Sequence, residues 1–315
     1  MTFEEAGKRW FDEYACLFQR KTTFTRNKQL SKRTYERFGK CEISSITRAE
    51  IQRFINDLNK TGVSKRDGKA LAQKTRKHYL TFISDVFRFC IDEEMISETP
   101  CKNIRVAPDV YDDAKEEKLY SIDEAKELLK FIEIEAPLKY RCFFYLALTS
   151  GMRRSELIGL EWRDINFISG VISITRVGNY TSATGKYTDV TKTKGSNRCV
   201  IVPRFVVDML AEFRKEQPYN RVFVQADGQP MHSNTPYNWL KRECEKRKLP
   251  FYGVHKFRHL YASVLINSGL DVATVSRCLG HSQISTTLNI YAHAFNNAYI
   301  KGCTAVSEAL ESLFA

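Results

Sequence analysis

No stretch of this 315-residue chain approaches the roughly 18 to 20 consecutive apolar residues of a membrane-spanning helix. The opening, MTFEEAGKRW, also lacks the apolar core of a secretory signal. These two absences point to a soluble, cytoplasmic protein. Cysteine is present nine times but never as a C-x-x-C pair, and the nearest two, Cys90 and Cys101, stand eleven residues apart. That spacing argues against a zinc site or a disulfide framework and fits a reducing compartment. Also missing are a Gly-x-x-x-x-Gly-Lys-Ser/Thr phosphate loop, an acidic cluster suited to magnesium, a Ser/His/Asp arrangement, internal repeats and low-complexity tracts. A content of 43% hydrophobic, 12% aromatic and 27% charged residues excludes a disordered or fibrous chain.

What the chain has in excess is positive charge. Its net charge of +12 suits a polyanionic partner, and the number alone does not choose among an anionic membrane, RNA and DNA. The distribution is more informative: +8 over residues 1–107, −6 over 108–135 and +10 over 136–315. The acidic stretch opens at Ala107-Pro108-Asp109 and has no apolar period, so residues 108–118 read as a linker. Ser121-Ile-Asp-Glu124 is a capping box that starts a new helix just inside a second domain, 119–315.

The first domain, 1–107, reads as helical. Phe3, Ala6, Trp10, Tyr14 and Leu17 keep helical spacing, and Thr47-x-x-Glu50 caps a helix carrying Ile51, Phe54, Ile55 and Leu58 that stops at Gly62. A long helix from about Lys74 is expected to bury Tyr79, Phe82, Ile83, Val86, Phe87 and Cys90. The cations Lys65, Arg66, Lys69, Lys74, Arg76 and Lys77 crowd its start. Cations beside free backbone N–H groups make a ready phosphate site, although a solvated basic face is an equal reading. The second domain begins helically through Leu128, Leu129, Ile132, Phe143, Phe144, Leu146 and Ala147. It then changes to alternation at Val171–Arg176, Tyr187–Thr191 and Arg198–Val202, which predicts a small antiparallel sheet before helices resume after Pro203.

Four of the six histidines, His255, His259, His281 and His293, fall between residues 255 and 293. In His255-Lys-Phe-Arg258-His259 the spacing puts His255 and Arg258 on one helical face. Val275–Gly280 reads as a helix closed by a glycine cap, with His281 in the turn and Ser282 able to cap a next helix that carries Tyr291. Upstream, Gly151-Met-Arg-Arg-Ser-Glu-Leu places two arginines after a glycine turn, and Thr191-Lys-Thr-Lys lies at the sheet.

Six pieces in this order resemble the tyrosine recombinases of the phage-integrase family. They are Gly151-Met-Arg-Arg-Ser-Glu-Leu, Leu160-Glu-Trp-Arg-Asp-Ile, Thr191-Lys-Thr, His255-x-x-Arg258-His, Leu279-Gly-His281 and Ile290-Tyr-Ala-His293. The resemblance implies a mainly α fold with a small antiparallel sheet, arranged as a two-domain C-shaped clamp around DNA. A helical core-type DNA-binding domain would be joined to the catalytic domain, with the six cations at residues 65–77 on the DNA. Phe257 and Asn166 depart from the family's usual residues as packing variations.

Carried over, the resemblance makes Tyr291 the nucleophile that forms a 3′-phosphotyrosine. Arg153 and Arg258 clamp the non-bridging oxygens, Lys192 is the general acid with Lys194 as its competitor, His255 assists proton movement and His281 hydrogen-bonds the phosphate. Glu156 and His259 support these groups. No metal or other cofactor is implied. Taken from its surroundings alone, Tyr291 shares helical spacing with Ile284 and Leu288 and reads as core packing; the motif context reverses that reading. The implied working unit is a homotetramer on two duplexes, aided by an excisionase or DNA-bending proteins, in the nucleoid of a bacterium. A tail helix over 304–314 would dock on a neighbouring protomer or on its own domain. The expected function is integration or excision of a phage or conjugative element, the alternatives being a Xer-like resolvase or a catalytically silent DNA-binding regulator. Many such integrases carry a further N-terminal arm-binding domain, and none is evident before Phe3.

Overall fold

A computed structural model of the protein describes residues 1–61, 63–64, 68–109, 120–181, 185–190, 197–292 and 294–295. Outside them lie Lys65, Arg66, Lys192, Lys194, His293, the 110–118 part of the expected linker and the 304–314 tail. The chain divides into two compact units, one built on Met1–Glu116 and the other on Glu117–Tyr180 and Gly185–Ala315. Among the described residues no helix is long and apolar enough to cross a membrane, and none of the described cysteines is in a disulfide.

The first unit is helical. Helix α1 (Phe3–Arg9) runs through a π-helical turn, Trp10–Ala15, into the short α2 (Cys16–Phe18). Helices α3 (Lys21–Phe38), α4 (Arg48–Asp57) and α5 (Gln73–Asp92) follow. Thr2 with Glu5 and Thr47 with Glu50 close capping boxes at α1 and α4, which satisfies the free N–H groups there. The core is aromatic: Phe3, Trp10, Phe11, Phe38, Phe54, Phe82 and Phe87 interlock around α5. Two expectations change. The wider i→i+5 turn shifts the helical phase, so Phe11 and Ala15 are buried while Tyr14 and Leu17 face solvent. In addition, α3 has no counterpart in the sequence reading, because its inward face includes Asn27, Ser31 and Thr34 beside Leu30 and Phe38.

The second unit opens with α6 (Ile122–Glu135), capped as expected by Ser121 and Glu124, then α7 (Leu138–Ser150) and α8 (Arg154–Gly159). Four strands follow: β1 (Val171–Ile174), β2 (Arg176–Thr181), β3 (Gly185–Val190) and β4 (Arg198–Ile201). Among the described residues they pair two by two. β1 pairs antiparallel with β4 in the register Val171↔Ile201 to Ile174↔Arg198, and β2 pairs with β3. Helices α9 (Arg204–Lys215), α10 (Thr235–Arg247), α11 (His255–Asn267) and α12 (Val272–Leu279) complete the body, and α13 covers 284–292. Helix α7 runs through the core, burying Cys142, Phe143, Phe144, Leu146 and Ala147 against α9 and α11. A smaller apolar cluster, Ala262, Ile266, Val275, Leu279 and Tyr291, ties α11, α12 and α13 together.

Candidate active site

Three helix ends meet in the second unit, and two of them are glycine caps. Helix α7 stops at Gly151 with φ +59°, where a Cβ would collide with the Tyr261 ring. Helix α12 stops at Gly280 with φ +63°, where a Cβ would lie 2.7 Å from Arg198 Nη1. Both positions need a left-handed backbone with no side chain. The third end is the start of α8, where the Glu156 carboxylate accepts the Arg153 N–H at 2.7 Å.

The last carbonyls of α12 lack helical partners and form the negative end of its dipole. Three guanidiniums gather on them. Arg198 Nε donates to Cys278 O at 3.1 Å, Arg258 Nη2 to Leu279 O at 2.6 Å and Arg153 Nη2 to Gly280 O at 2.9 Å. Arg258 also donates to Gly151 O at 2.6 Å, so this buried α11 side chain fastens the end of α7 to the end of α12. One carboxylate serves the group. Glu156 accepts Arg153 Nη1 at 2.8 Å and both Arg198 Nη1 and Nη2, at 3.1 and 3.0 Å. Burial alone would push the Glu156 carboxyl up, but Arg198 and Arg153 outweigh it and hold it below the usual carboxylate range.

Three cations against one anion leave a positive surplus in a largely buried place. Burial, and after it the charge of Arg153, pulls Arg258 down to about 9. Burial followed by the charges of Arg258, Arg153 and Arg198 pulls His281 down to about 4, so its imidazole is neutral near pH 7. His281 Nδ1 is bonded to Thr287 Oγ1 at 2.7 Å, which leaves Nε2 for an incoming group.

Tyr291 is buried, and its Oη lies 2.9 Å from His259 Nδ1, which is buried as well. The bond at the tyrosine hydroxyl thus comes from His259, whereas His255 is exposed at the first residue of α11 with its ring 5.2 Å from that of His259. Ile284 and Leu288, at helical spacing from Tyr291, are half exposed, whereas Tyr291 and Thr287 of α13 are buried. The helix begins at 284, two residues beyond Ser282, so its cap position falls on Gln283 and not on the Ser282 expected from the sequence.

Arg153, Glu156, Arg258, His259, His281 and Tyr291 therefore come together, with His255 at the rim. Arg198 belongs to the group and was not among the residues expected. In the first unit Lys69, Lys74 and Lys77 are exposed, but Arg76 is not: it is 1% exposed and held by Asp109 at 2.5 Å and by Leu71 O at 2.8 Å. Asp109 also accepts the Gln73 N–H at 2.7 Å. The start of α5, expected as a phosphate site, is thus occupied by the chain's own carboxylate. Arg76 is buried and paired within its own unit. Among the described residues no three His, Cys, Asp or Glu side chains gather into a set that could hold a metal ion.

A buried tyrosine with a histidine on its hydroxyl, in the same unit as a nest of guanidiniums, is a combination suited to breaking a phosphodiester through a side chain. The model of the phage integrase family matches residues 119–298, and that of the phage integrase N-terminal SAM-like domain matches 2–59. The chain belongs to the phage integrase family, the tyrosine recombinases, whose members cleave and rejoin DNA through a 3′-phosphotyrosine. A tyrosine recombinase XerC-like protein of Caldanaerobacter subterraneus subsp. tengcongensis is 30% identical over 301 residues, 87% of this chain and 73% of that protein. The ICEBs1 integrase of Bacillus subtilis (strain 168) is 26% identical over 297 residues, 90% of this chain and 77% of that protein. Among solved structures, the Tn1549 transposon integrase in complex with transposon right end DNA has the same fold, with a TM-score of 0.79 at 22% identity over 98% of this chain and 100% of that one. The lambda integrase tetramer bound to a Holliday junction matches at a TM-score of 0.65 and 19% identity, over 91% of this chain and 77% of that one.

Proposed function

We propose that the chain integrates and excises a mobile element, a phage or a conjugative element, with Tyr291 as nucleophile. The supporting observation is the cationic nest at the end of α12 beside the buried tyrosine. Tyr291 Oη bonds to the scissile phosphorus and the bond from phosphorus to the 5′-oxygen breaks. The tyrosine proton goes to the imidazole already on its hydroxyl, His259, and onward to His255 at the exposed rim. The departing 5′-oxygen takes a proton from Lys192. A 5′-hydroxyl attacking the phosphotyrosine reverses every step, so the strand is resealed without ATP. The phosphorane formed on the way carries one negative charge more than the diester, and a site with surplus positive charge favours it over the ground state. Arg153 and Arg258 present planar forks to its non-bridging oxygens, His281 Nε2 adds a hydrogen bond, and Glu156 and Arg198 hold Arg153 in place.

The partner is double-stranded DNA, gripped by both units, with a tetramer on two duplexes as the working assembly in the bacterial cytoplasm. Lys69, Lys74 and Lys77 supply backbone contacts from the first unit, which makes binding salt-sensitive. Resolution of chromosome dimers is the second reading, favoured by the XerC-like relative at 30% identity. Loss of the gene would then leave unresolved dimers; on the main reading it abolishes the excised circle of the element.

Covalent capture tests the chemistry. The protein is mixed with a random-sequence library of nicked duplexes, and DNA that stays attached through denaturation is recovered. The expected product is an adduct at Tyr291, absent from Tyr291→Phe, which still binds the recovered duplex. An adduct formed by the Phe variant overturns the assignment.

A further inference from the structure

Arg153 and Arg154 are neighbours at the start of α8, but their side chains go to different walls. Arg153 reaches Glu156 and Gly280 O. Arg154 lines a cleft of about 510 Å³, together with Asn179 and Tyr180 of β2, Ser233, Tyr237 of α10 and His255. Arg153 lines the same cleft, which therefore opens directly onto the proposed catalytic centre.

Arg154 differs from three covered arginines around it, and also from Arg258, which two backbone carbonyls hold at 2.6 Å. Arg153, Arg176 and Arg198 each hold a carboxylate, at 2.8, 2.5 and 3.0 Å. Among the described residues no carboxylate pairs with Arg154. Its hydrogen bond is a long one, 3.3 Å from Nη1 to the neutral Asn234 Oδ1. The guanidinium is half-buried all the same, and burial draws it below the ordinary guanidinium range. A cation taken partly out of water without a counterion is unfavourable unless an anion comes to it. The wall around it supplies further donors, the Asn179 amide and the Ser233 and Tyr180 hydroxyls. Two guanidiniums diverging from Cα atoms ~3.8 Å apart suit two successive phosphates of one strand.

We propose that this cleft binds the backbone phosphate next to the scissile one, with Arg154 as its cation. The inference rests on the reading of Arg153 and Tyr291 as the cleavage site. It adds a subsite that holds the strand in register while the neighbouring phosphorus is attacked.

The test uses the duplex recovered by covalent capture, prepared as a series in which one phosphate at a time is replaced by an uncharged methylphosphonate. Affinities are measured by fluorescence anisotropy in the Tyr291→Phe background. Removing the charge beside the scissile linkage should weaken binding by about ten-fold, the scale of one charge-assisted hydrogen bond. In Arg154→Gln the same replacement should cause no further loss, and the slope of log affinity against log salt should fall by about one. Arg154→Lys should keep the slope, and melting temperatures establish that each variant is folded. A Gln variant that still loses about ten-fold at that position, with an unchanged salt slope, overturns the proposal. So does a variant sensitive only to the base pair there, since that would be a base contact. Adduct formation by the Tyr291 protein is read separately: its absence removes the cleavage reading, whereas its presence without an Arg154 effect removes only this subsite.

Discussion

Arg76 in the first unit and Arg258 in the second are buried almost equally, 1% and 3% exposed, but they are satisfied in opposite ways. Arg76 meets a carboxylate, Asp109, which also accepts a backbone N–H at the start of α5. Its charge is neutralised within the unit. Among the described residues Arg258 meets only carbonyl oxygens, those of Gly151 and Leu279, and its nearest charged neighbours include two further arginines. Carbonyl dipoles hold a guanidinium in place without cancelling its charge. Burial therefore does not distinguish a structural cation from a functional one; the net charge of what surrounds it does.

The largest expected effects follow from exchanging the roles of the two. Arg258→Lys keeps a cation but loses the fork that holds both helix ends and that, on the proposed reading, faces two phosphate oxygens. Adduct formation by the folded fraction should fall about 10²- to 10³-fold, a larger effect than the loss of stability from the carbonyl left without a donor. Arg76→Gln should do the reverse. It leaves the partly exposed Asp109 short of its partner, destabilises the protein by about 2–3 kcal/mol in urea unfolding and leaves the cleavage rate of the folded fraction unchanged. A folded Arg76→Gln protein that binds DNA normally but cleaves slowly would break the comparison.

Much of this contrast was legible in periodicity, and it was there that motif reading fell short. Arg76 lies in helical phase with Tyr79, Ile83, Val86 and Cys90, all of them inward residues, so the pattern that identified the helix also placed Arg76 inside. Arg198 stands in strand phase with the buried Val200 and Val202, which marks an inward cation in need of partners. The motif residues Arg153, Arg258, His281 and Tyr291 were found by their order in the chain, and their meeting at the end of α12 could not be read from spacing. The glycine cap at Gly280 was legible; that it frees three carbonyls for three guanidiniums was not. The polar inner face of α3 and the phase slip at Trp10–Ala15 were invisible because neither follows an apolar 3.6-residue repeat. Asp109 looked like linker because a single carboxylate in an acidic stretch carries no period.

His259 sharpens the comparison from the other side, since it joins the tyrosine to this cation-rich surrounding. If its imidazole takes the tyrosine proton, both His259→Ala and His259→Asn should slow adduct formation by about 10²-fold with DNA affinity unchanged. Asparagine can hydrogen-bond the hydroxyl but is not a base. Recovery of the native rate in the Asn variant would mean that His259 only holds the nucleophile and that the proton leaves by another route.

The smallest effect comes from His281, where the surplus charge acts on a neighbour instead of a substrate. Its folded pKa of about 4 lies below the usual histidine value of 6.5. Between those two values the unfolded chain binds a proton that the folded chain does not, so stability falls as the pH drops from 6.5 towards 4 and is level above 6.5 on this account. The shift arises from burial first and from Arg258, Arg153 and Arg198 next. His281→Gln, which keeps a polar group near Thr287 without titrating, should flatten the decline of melting temperature over this window by part of its depth. Arg198→Met, which removes one of the repelling charges, should flatten it less. An equally steep decline in the Gln variant would place the acid sensitivity in other groups, and the guanidinium nest would then not be acting on His281 in the folded protein.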